Sequence, residues 1–481
     1  MEAKDNPSTP APEYNDLMVK LALAHALDGG RSAMIAAGET YLPKFGAEDT
    51  TDYTARLNAS FLWNMYKMTK AMLTGEVFDK PVTLGEDTPD QIKEFANNID
   101  MQGNNLSRFC RAVFHDGIGD GSGWIMVDSP PLPKDKEGNE IKTNQAQDKT
   151  MKRRPYWVHI PAKNLINAGV SNTNGILKLE YICIKESVKE QDGAFGEKVV
   201  EQVRVVYLGK WEIWREQVGA DKKGEWVVVD QGTTAFLDKI PIAPFFSGKK
   251  MSFWTAEPPL SDLAELTLEH WQSYSDQKHI LHFIRVALLF GKNLQVDENG
   301  KVIRSAGNLM HADNPDADLK YVEHTGKGAE AGDKDITQIE KKSGVFSMAL
   351  VMNQKTGTIT ATERAMNGAQ SGSFLNDSAL GLQDTINTAL GFTAEMLGLE
   401  PGKATATVNT DFSITMGMLS NEILLKSRMN KDIDHETYIT ELIRRGELPE
   451  GTDVVEMAGR LENDARKFGS LGMAGSSIFT Q

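Results

Sequence analysis

Cysteine is scarce: Cys110 and Cys183 are the only two in 481 residues. Two lone thiols in so long a chain exclude a disulfide framework and fit synthesis in a reducing compartment. No apolar run approaches the roughly 20 residues that cross a bilayer. The opening stretch MEAKDNPSTPAPEYND has neither the basic nor the apolar region of a signal peptide and reads as a polar, flexible arm. Cations are in deficit, with 52 Lys and Arg against 67 Asp and Glu for a net charge of −15. Each phosphate gripped on a nucleic acid needs a cation, so this balance argues against a tight DNA binder. It does not argue against a surface that lets DNA slip past.

Catalytic signatures are also missing. No G-x-x-x-x-G-K-[ST] occurs, which leaves a P-loop motor unsupported. The glycines of GDGSG (119–123) precede a strand rather than a helix, so they form a turn and not a phosphate cradle. Ser275–Lys278 matches S-x-x-K and Lys355–Gly357 matches K-T-G, two parts of a serine-hydrolase signature. The S-D-N element between them is absent, and K-T-G falls in a loop where that chemistry needs a strand. His270, His279 and His282 share a helix, but no second cluster completes a metal site. Trp211, Trp214 and Trp226 lack the interleaved basic residues of a base-stacking surface and read as packing residues, as do the two cysteines. The expectation is a non-enzyme with no cofactor and no metal.

What is present is ordinary globular material, 40% hydrophobic and 25% charged, enough for two to four subdomains. Apolar periodicity predicts helices over 17–37, 51–75, 88–98 and 104–115, then a strand at Trp124–Asp128. The proline-rich, charged stretch 129–154 reads as an exposed excursion. From Pro155 to Phe246 the pattern alternates with period two, with a glycine turn at Leu208–Gly209, and predicts an antiparallel meander. At Pro258–Pro259 it returns to helix, with Leu260, Leu263, Trp271, Tyr274 and Leu281 at helical spacing. A hairpin, LLFGKNLQV–DENG–KVIRSAGNLM, follows in 288–328. A second helix runs over 333–352, with Ile336, Ile339, Phe346 and Leu350 on one face, and a third over 361–397. That third helix carries four glycines, each costing about 1 kcal/mol in an exposed helix, so it needs neighbours and is expected to bend. A strand near 404–416 and C-terminal helices complete the chain.

Two helices that flank a small β insertion must run antiparallel, because the insertion leaves one and returns to the other. The result is a stalk with a β head, an unusual shape for an enzyme and a common one for a ring subunit. Between the second helix and the long third one lies a short polar loop, NQKTGTIT (353–360).

Several segments in order resemble portal proteins of tailed bacteriophages, from a group often catalogued only as a domain of unknown function. They are YLPKFGAEDTTDYTARLNASFLWN (with Tyr53 and Arg56), MLTGEVFDKPV, GWIMVDSPP, RPYWVHIPAKNLIN, PPLSDLAELTLEHWQSYSDQKHILHF and HETYITELIRRGELPEG. The resemblance implies an α+β portal fold with an α/β wing (1–258 and the returning strand 404–416) and stem helices at 259–288 and 330–352. It also implies a β-containing clip (289–329), a tunnel loop (353–360), a long bent wing helix (361–403) and a helical crown (417–481). Such chains form a ring, most often a dodecamer, at one capsid vertex. Double-stranded DNA passes through it without sequence specificity.

In that scheme Asn353, Gln354, Lys355, Thr356, Gly357, Thr358, Ile359 and Thr360 line the channel. The clip residues Lys292, Asp297, Glu298, Asn299, Lys301 and Arg304 meet a tail adaptor or the terminase large subunit. Other implied partners are the major capsid, scaffold and head-completion proteins, with no membrane involved. The location implied is the virion, after synthesis in the host cytoplasm. Another ring-forming connector without the genome channel is the alternative reading. A serine hydrolase built on Ser275 and Lys355 is the alternative from a different class.

Overall fold

The computed structural model describes residues 6–135, 137, 140–141, 143–217, 224–285, 288–293, 315–322, 326–351, 361–410 and 412, and beyond these 424–426, 428–430, 433–444, 447–448, 453 and 457. The N-terminal third is helical: α1 Pro12–Asp28, α2 Gly30–Ala37, α3 Thr50–Ala59, α4 Met65–Val77, a short β1 Thr83–Leu84, α5 Asp90–Phe95 and α6 Leu106–Asp120.

Three sequence expectations change here. The arm is packed from residue 6: Pro12 starts a helix, the Ala11 N–H donates to the Ile166 carbonyl at 2.9 Å, and Tyr14 Oη donates to Lys163 O at 2.8 Å. The helix expected over 17–37 breaks where Gly30 takes φ +73°, a conformation that glycine alone adopts without strain. The helix expected over 51–75 breaks at Ser60–Asn64, because Asn64 caps a new helix by accepting from the Lys67 N–H at 2.9 Å.

Helix α6 shows why the core sits where it does. Asn105 caps its start, and Leu106, Phe109, Cys110, Val113, Phe114 and Ile118 form one buried face. It ends at Gly121 with φ +81°, where a Cβ would lie 2.6 Å from the Glu257 carbonyl oxygen. The chain turns there into β2 Ser122–Asp128, the centre of a three-stranded antiparallel sheet with β3 Tyr156–Pro161 and β9 Ile242–Phe246. Strand β2 is buried on both faces and accordingly reads as a continuous run, Trp-Ile-Met-Val, rather than an alternation. Ile125, Val127, Trp157, Ala243 and Phe245 meet the helical core on one side. On the other, Trp124, Met126, Ile160 and Ile242 pack on Leu165, Ile182, Ile184 and Val206.

Those last residues belong to the expected meander, a five-stranded sheet in sequence order: β4 Leu165–Thr173, β5 Ile176–Asp192, β6 Gly196–Tyr207, β7 Lys210–Glu216 and β8 Trp226–Thr233. The turn at Leu208–Gly209 is as expected, with Gly209 at φ +81°. Strand β9, which the pattern attached to the meander, belongs to the other sheet. Every strand pairing among the described residues is antiparallel, so the body is α+β rather than an α/β wing.

The described part of 129–154 is more ordered than expected. It contains α7 Gln145–Thr150, Lys134 Nζ donates to Asp230 Oδ1 at 2.6 Å, and Glu140 accepts from Thr233 Oγ1 at 2.7 Å. Cys110 and Cys183 are free and buried, as expected of packing residues.

The C-terminal half holds α8 Ser261–Ile284, β10 Leu288–Lys292, β11 Asp318–Val322, α9 Lys327–Val351, α10 Ala361–Met396, β12 Ala406–Thr407 and α11 His435–Arg444. Helix α10 runs its 36 residues as expected and lies across the three-stranded sheet. Its buried face, Leu375, Ala379, Leu382, Ile386, Ala389, Leu390 and Ala394, belongs to the main core. Thr385 Oγ1 donates to Pro244 O at 2.8 Å, and Trp157 Nε1 donates to Thr393 Oγ1 at 2.9 Å. A Cβ at Gly381 would stand 3.4 Å from Phe246 O, so small residues let the helix approach the sheet. The small-residue surface from Phe374 onward is thus covered within the chain and is not held out for a neighbour. Among the described residues the returning strand is β12, which pairs with β1 as Thr83↔Thr407 and Leu84↔Ala406; 411 and 413–416 lie outside them. Among the described residues no helix is long and apolar enough to cross a membrane.

Candidate functional site

The site argued from sequence is the stalk and the two segments at its ends. Its helices form as periodicity predicts. In α8, Leu263, Ala264, Thr267, His270, Trp271, Ser275 and Gln277 are buried; in α9, Ile336, Ile339 and Ser343 are buried. The helices pair antiparallel: His270 Nε2 lies 3.4 Å from Glu340 Oε1, and further out, about two turns along α8 and about three along α9, Gln277 Nε2 donates to Ala329 O at 2.8 Å. Gly332 admits that approach, since a Cβ there would fall 2.2 Å from Gln277 Oε1. At 24 and 25 residues, the two helices each span roughly 36 Å.

A buried ionic cluster roots α8 in the body. Arg56 of α3 and Glu48 have side chains only 3% exposed, and Arg56 Nε and Nη2 donate to the two Glu48 carboxylate oxygens at 2.7 Å each. Arg56 Nη2 also donates to Pro43 O at 2.8 Å, and its guanidinium lies 4.1 Å from the Phe45 ring centroid. On the α8 side, Arg56 Nη1 donates to Ser275 Oγ at 3.4 Å and stands 3.8 Å from Asp276 Oδ1. Ser60 Oγ completes the link, donating to Ser275 Oγ at 2.9 Å. The hydrogen bonds from Arg56 hold the Glu48 carboxyl below the usual carboxylate range, while burial raises that of Asp276. Higher on the pair, burial lowers the His270 imidazole against the opposing pull of Glu340. Sequence reasoning found Arg56 only through the resemblance and missed Glu48, because a buried ion pair in sequence looks like any two surface charges.

This geometry bears on the motifs. Ser275 is 1% exposed and occupied by Ser60 and Arg56, and Lys278 Nζ lies over the Tyr274 ring at 5.1 Å. The hydroxyl of S-x-x-K therefore acts as a joint between α3 and α8. His270 faces Glu340, and His279 lies 5.5 Å from the Phe45 ring. Among the described residues no group of three or more His, Cys, Asp or Glu is placed to hold a metal. Trp211 packs in the core between the sheets, and Trp214 and Trp226 pack against its neighbour.

At the outer end of the stalk, β10 pairs with β11 in a five-residue ladder from Leu288↔Val322 to Lys292↔Asp318. The described partner of the first strand is 318–322; the hairpin expected through Asn299–Gly300 to 301–310 lies outside the described residues. Lys292 is exposed at the ladder's end, and Lys320 Nζ lies 5.9 Å from the exposed Phe290 ring. Asp297, Glu298, Asn299, Lys301 and Arg304 lie outside the described residues, as do Asn353, Gln354, Lys355, Thr356, Gly357, Thr358, Ile359 and Thr360. The chain places that second segment between the body end of α9, at Val351, and the start of α10, at Ala361. The exposed charge along α9 is mixed: Lys327, Lys334, Lys341 and Lys342 against Glu330, Asp333 and Asp335.

The family model "Domain of unknown function (DUF4055)" matches residues 259–397, from the root of the stalk through α10. No curated protein matches the chain. Among solved structures, the chain is similar to one from the virion of a native gene transfer agent particle, at 12% identity and a TM-score of 0.39, over 86% of this chain and 98% of that one. A second, from the neck of an empty gene transfer agent particle computed with C6 symmetry, is 11% identical with a TM-score of 0.40, over 87% of this chain and 99% of that one.

Proposed function

We propose that this chain is the subunit of a ring-shaped portal, through which double-stranded DNA enters and leaves a phage-type capsid. The observation that carries the reading is the antiparallel α8–α9 stalk. It is rooted in an α+β body by a buried ionic cluster, bears a small β ladder at its outer end, and hands the chain through 352–360 to a long helix lying in the body core. The family match runs through both stalk helices, the β ladder and the long helix. An elongated pair of helices ending in two strands encloses no substrate; arranged around an axis, such pairs make a tube. Mixed charge on α9 and one lysine in the polar segment 353–360 give a wall with little counterion-release affinity, which suits a polymer that must slide.

On this reading the chain is not an enzyme, and a separate ATP-driven terminase supplies the work of packaging. The β10–β11 end meets terminase and later a tail adaptor, and the body meets capsid and scaffold proteins. The protein resides in the virion at one vertex. The test is made in assembled particles. Lys355→Ala should leave rings intact and change DNA retention modestly, with salt dependence, since one cation per subunit is lost. Deleting Thr356–Thr358 should impair packaging or retention severely. Normal packaged length and no leakage in the deletion would reduce this segment to a connector.

A further inference from the structure

The two stalk helices each turn an exposed face away from the core, and the two faces carry opposite charge. On α8, Asp262, Glu265 and Glu269 recur at helical spacing on one such face. Together with Leu266, Leu268 and Gln272 they line a surface groove of about 350 Å³. On α9, Lys334, Lys341 and Val345 recur on one exposed face, with Lys342 at its margin. Asp333 and Asp335 stand about 100° round the helix on either side of Lys334, so the stripe from Lys334 toward the body is basic. It ends on an apolar spot, Val345, which is 55% exposed.

These charges are not spent within the chain. Asp262, Glu265, Glu269, Lys334, Lys341 and Lys342 make no ion pair among the described residues. The polar contact between the helices runs instead through His270 and Glu340, 3.4 Å apart. The helix dipole accounts for an acid in the first turn of α8, such as Asp262, but its effect falls off within that turn and explains neither Glu269 nor the lysines. The faces also agree in height. Counted at 1.5 Å per residue from the His270–Glu340 contact, Val345 and Glu265 both lie about 7.5 Å toward the body, and Lys341, Lys342 and Glu269 lie within about 3 Å of it. Cyclic symmetry rotates without a rise, so for stalks standing side by side around an axis, groups that meet must share a height.

We propose that the basic stripe of α9 in one copy docks on the acidic groove of α8 in the next, with Lys341 and Lys342 on Glu265 and Glu269 and Val345 against Leu266. The occupant is a second copy of this chain because the two faces match in sign and in height. The faces differ, so the contact is head-to-tail, the kind that propagates and closes into a ring. Complementary charge of this sort fixes partner and register more than it adds affinity. It also neutralises the stalk lysines on a neighbouring subunit, which leaves them less able to hold a polyanion. The inference rests on the ring reading of the preceding section and adds the stalk surfaces that join the subunits.

The test uses the full chain in two charge-reversed forms, Glu265→Lys with Glu269→Lys, and Lys341→Glu with Lys342→Glu. All four positions are exposed, so circular dichroism should show each form folded as the wild type is. The first form has two basic faces and the second two acidic ones. Each alone should therefore associate roughly tenfold or more weakly than wild type on dilution at low salt, because like charges meet at every contact. Mixed in equal amounts, the two forms should close into rings in which they alternate, and all four substitutions in one chain should restore rings as well. Charge-reversed forms that each ring as firmly as wild type overturn the contact and leave the ring reading intact. Loss of rings that neither the mixture nor the fourfold variant restores overturns it too. Normal rings whose lysine variant alone alters DNA retention would place the stripe on the channel and not on a neighbour. A wild-type chain that stays monomeric overturns both the contact and the ring.

Discussion

Replacing Arg56 with methionine tests whether the stalk is rooted as described. Methionine keeps an unbranched apolar side chain against Phe45 and removes only the charge and its donors. The side chains of Arg56 and Glu48 are each 3% exposed and joined by two bonds of 2.7 Å, so the substitution strands a buried carboxylate. Removing one member of such a pair costs about 3–5 kcal/mol. With a urea dependence of about 3 kcal/mol per molar, the transition that unfolds the body should move down by roughly 1–1.7 M. Changing both members, Glu48→Leu with Arg56→Met, should recover most of the loss, because two apolar side chains leave nothing unpaired. The pH dependence follows from the lowered Glu48 carboxyl, which Arg56 hydrogen bonding causes. Its contribution is complete above the carboxylate value of the unfolded chain and is lost as pH falls through the lower folded value. That acid slope should disappear in Arg56→Met. Urea titrations of the three proteins at pH 7.5 and pH 4 measure all of this. A single variant within about 1 kcal/mol of wild type, or a double variant as unstable as the single, refutes the reasoning.

Other outcomes follow from neighbouring features. Burial lowers the imidazoles of His159 and His270, so the unfolded chain binds more protons and stability should fall as pH drops below about 6.5; His159→Gln should flatten that decline in urea titrations. Gly248→Ala would place a Cβ 1.8 Å from the Glu257 carbonyl oxygen, and soluble yield should collapse unless the turn before α8 shifts. Trp157→Phe removes the donor to Thr393 and should lower the urea midpoint by an amount matching about 1–3 kcal/mol, without altering subunit mass or helix content. Replacing 297–301 with a Gly-Ser linker should spare ring and capsid assembly but block packaging or tail attachment; particles that do both normally would remove the outer end of the stalk from those contacts.

How much of this was legible in the sequence depended on the range of the interaction. Helices α8, α9 and α10 and the β5–β6–β7 meander were read correctly because their signals are local periodicities of 3.6 and 2. The breaks at Gly30 and Asn64 were missed because apolar spacing continues across them; a single φ and a single cap decide them. The hairpin read at Asn299–Gly300 lies outside the described residues, and the pairing of β10 with 318–322 is a choice that no local pattern records. Strand β9 left the meander for the same reason. Within the site, the stalk was visible, but its root was not. Glu48 and Arg56 carry the composition of surface residues, and only the fold buries them against Ser275.

The central claim is that copies of this chain surround a channel, and the most direct measurement is an end-on image of the purified particle together with its mass in solution. From a 53.0 kDa chain, about twelve copies give a ring of roughly 600 kDa with an open axial hole wide enough for double-stranded DNA. A stable monomer at micromolar concentration in near-physiological buffer, or a closed particle with no axial opening, would contradict it.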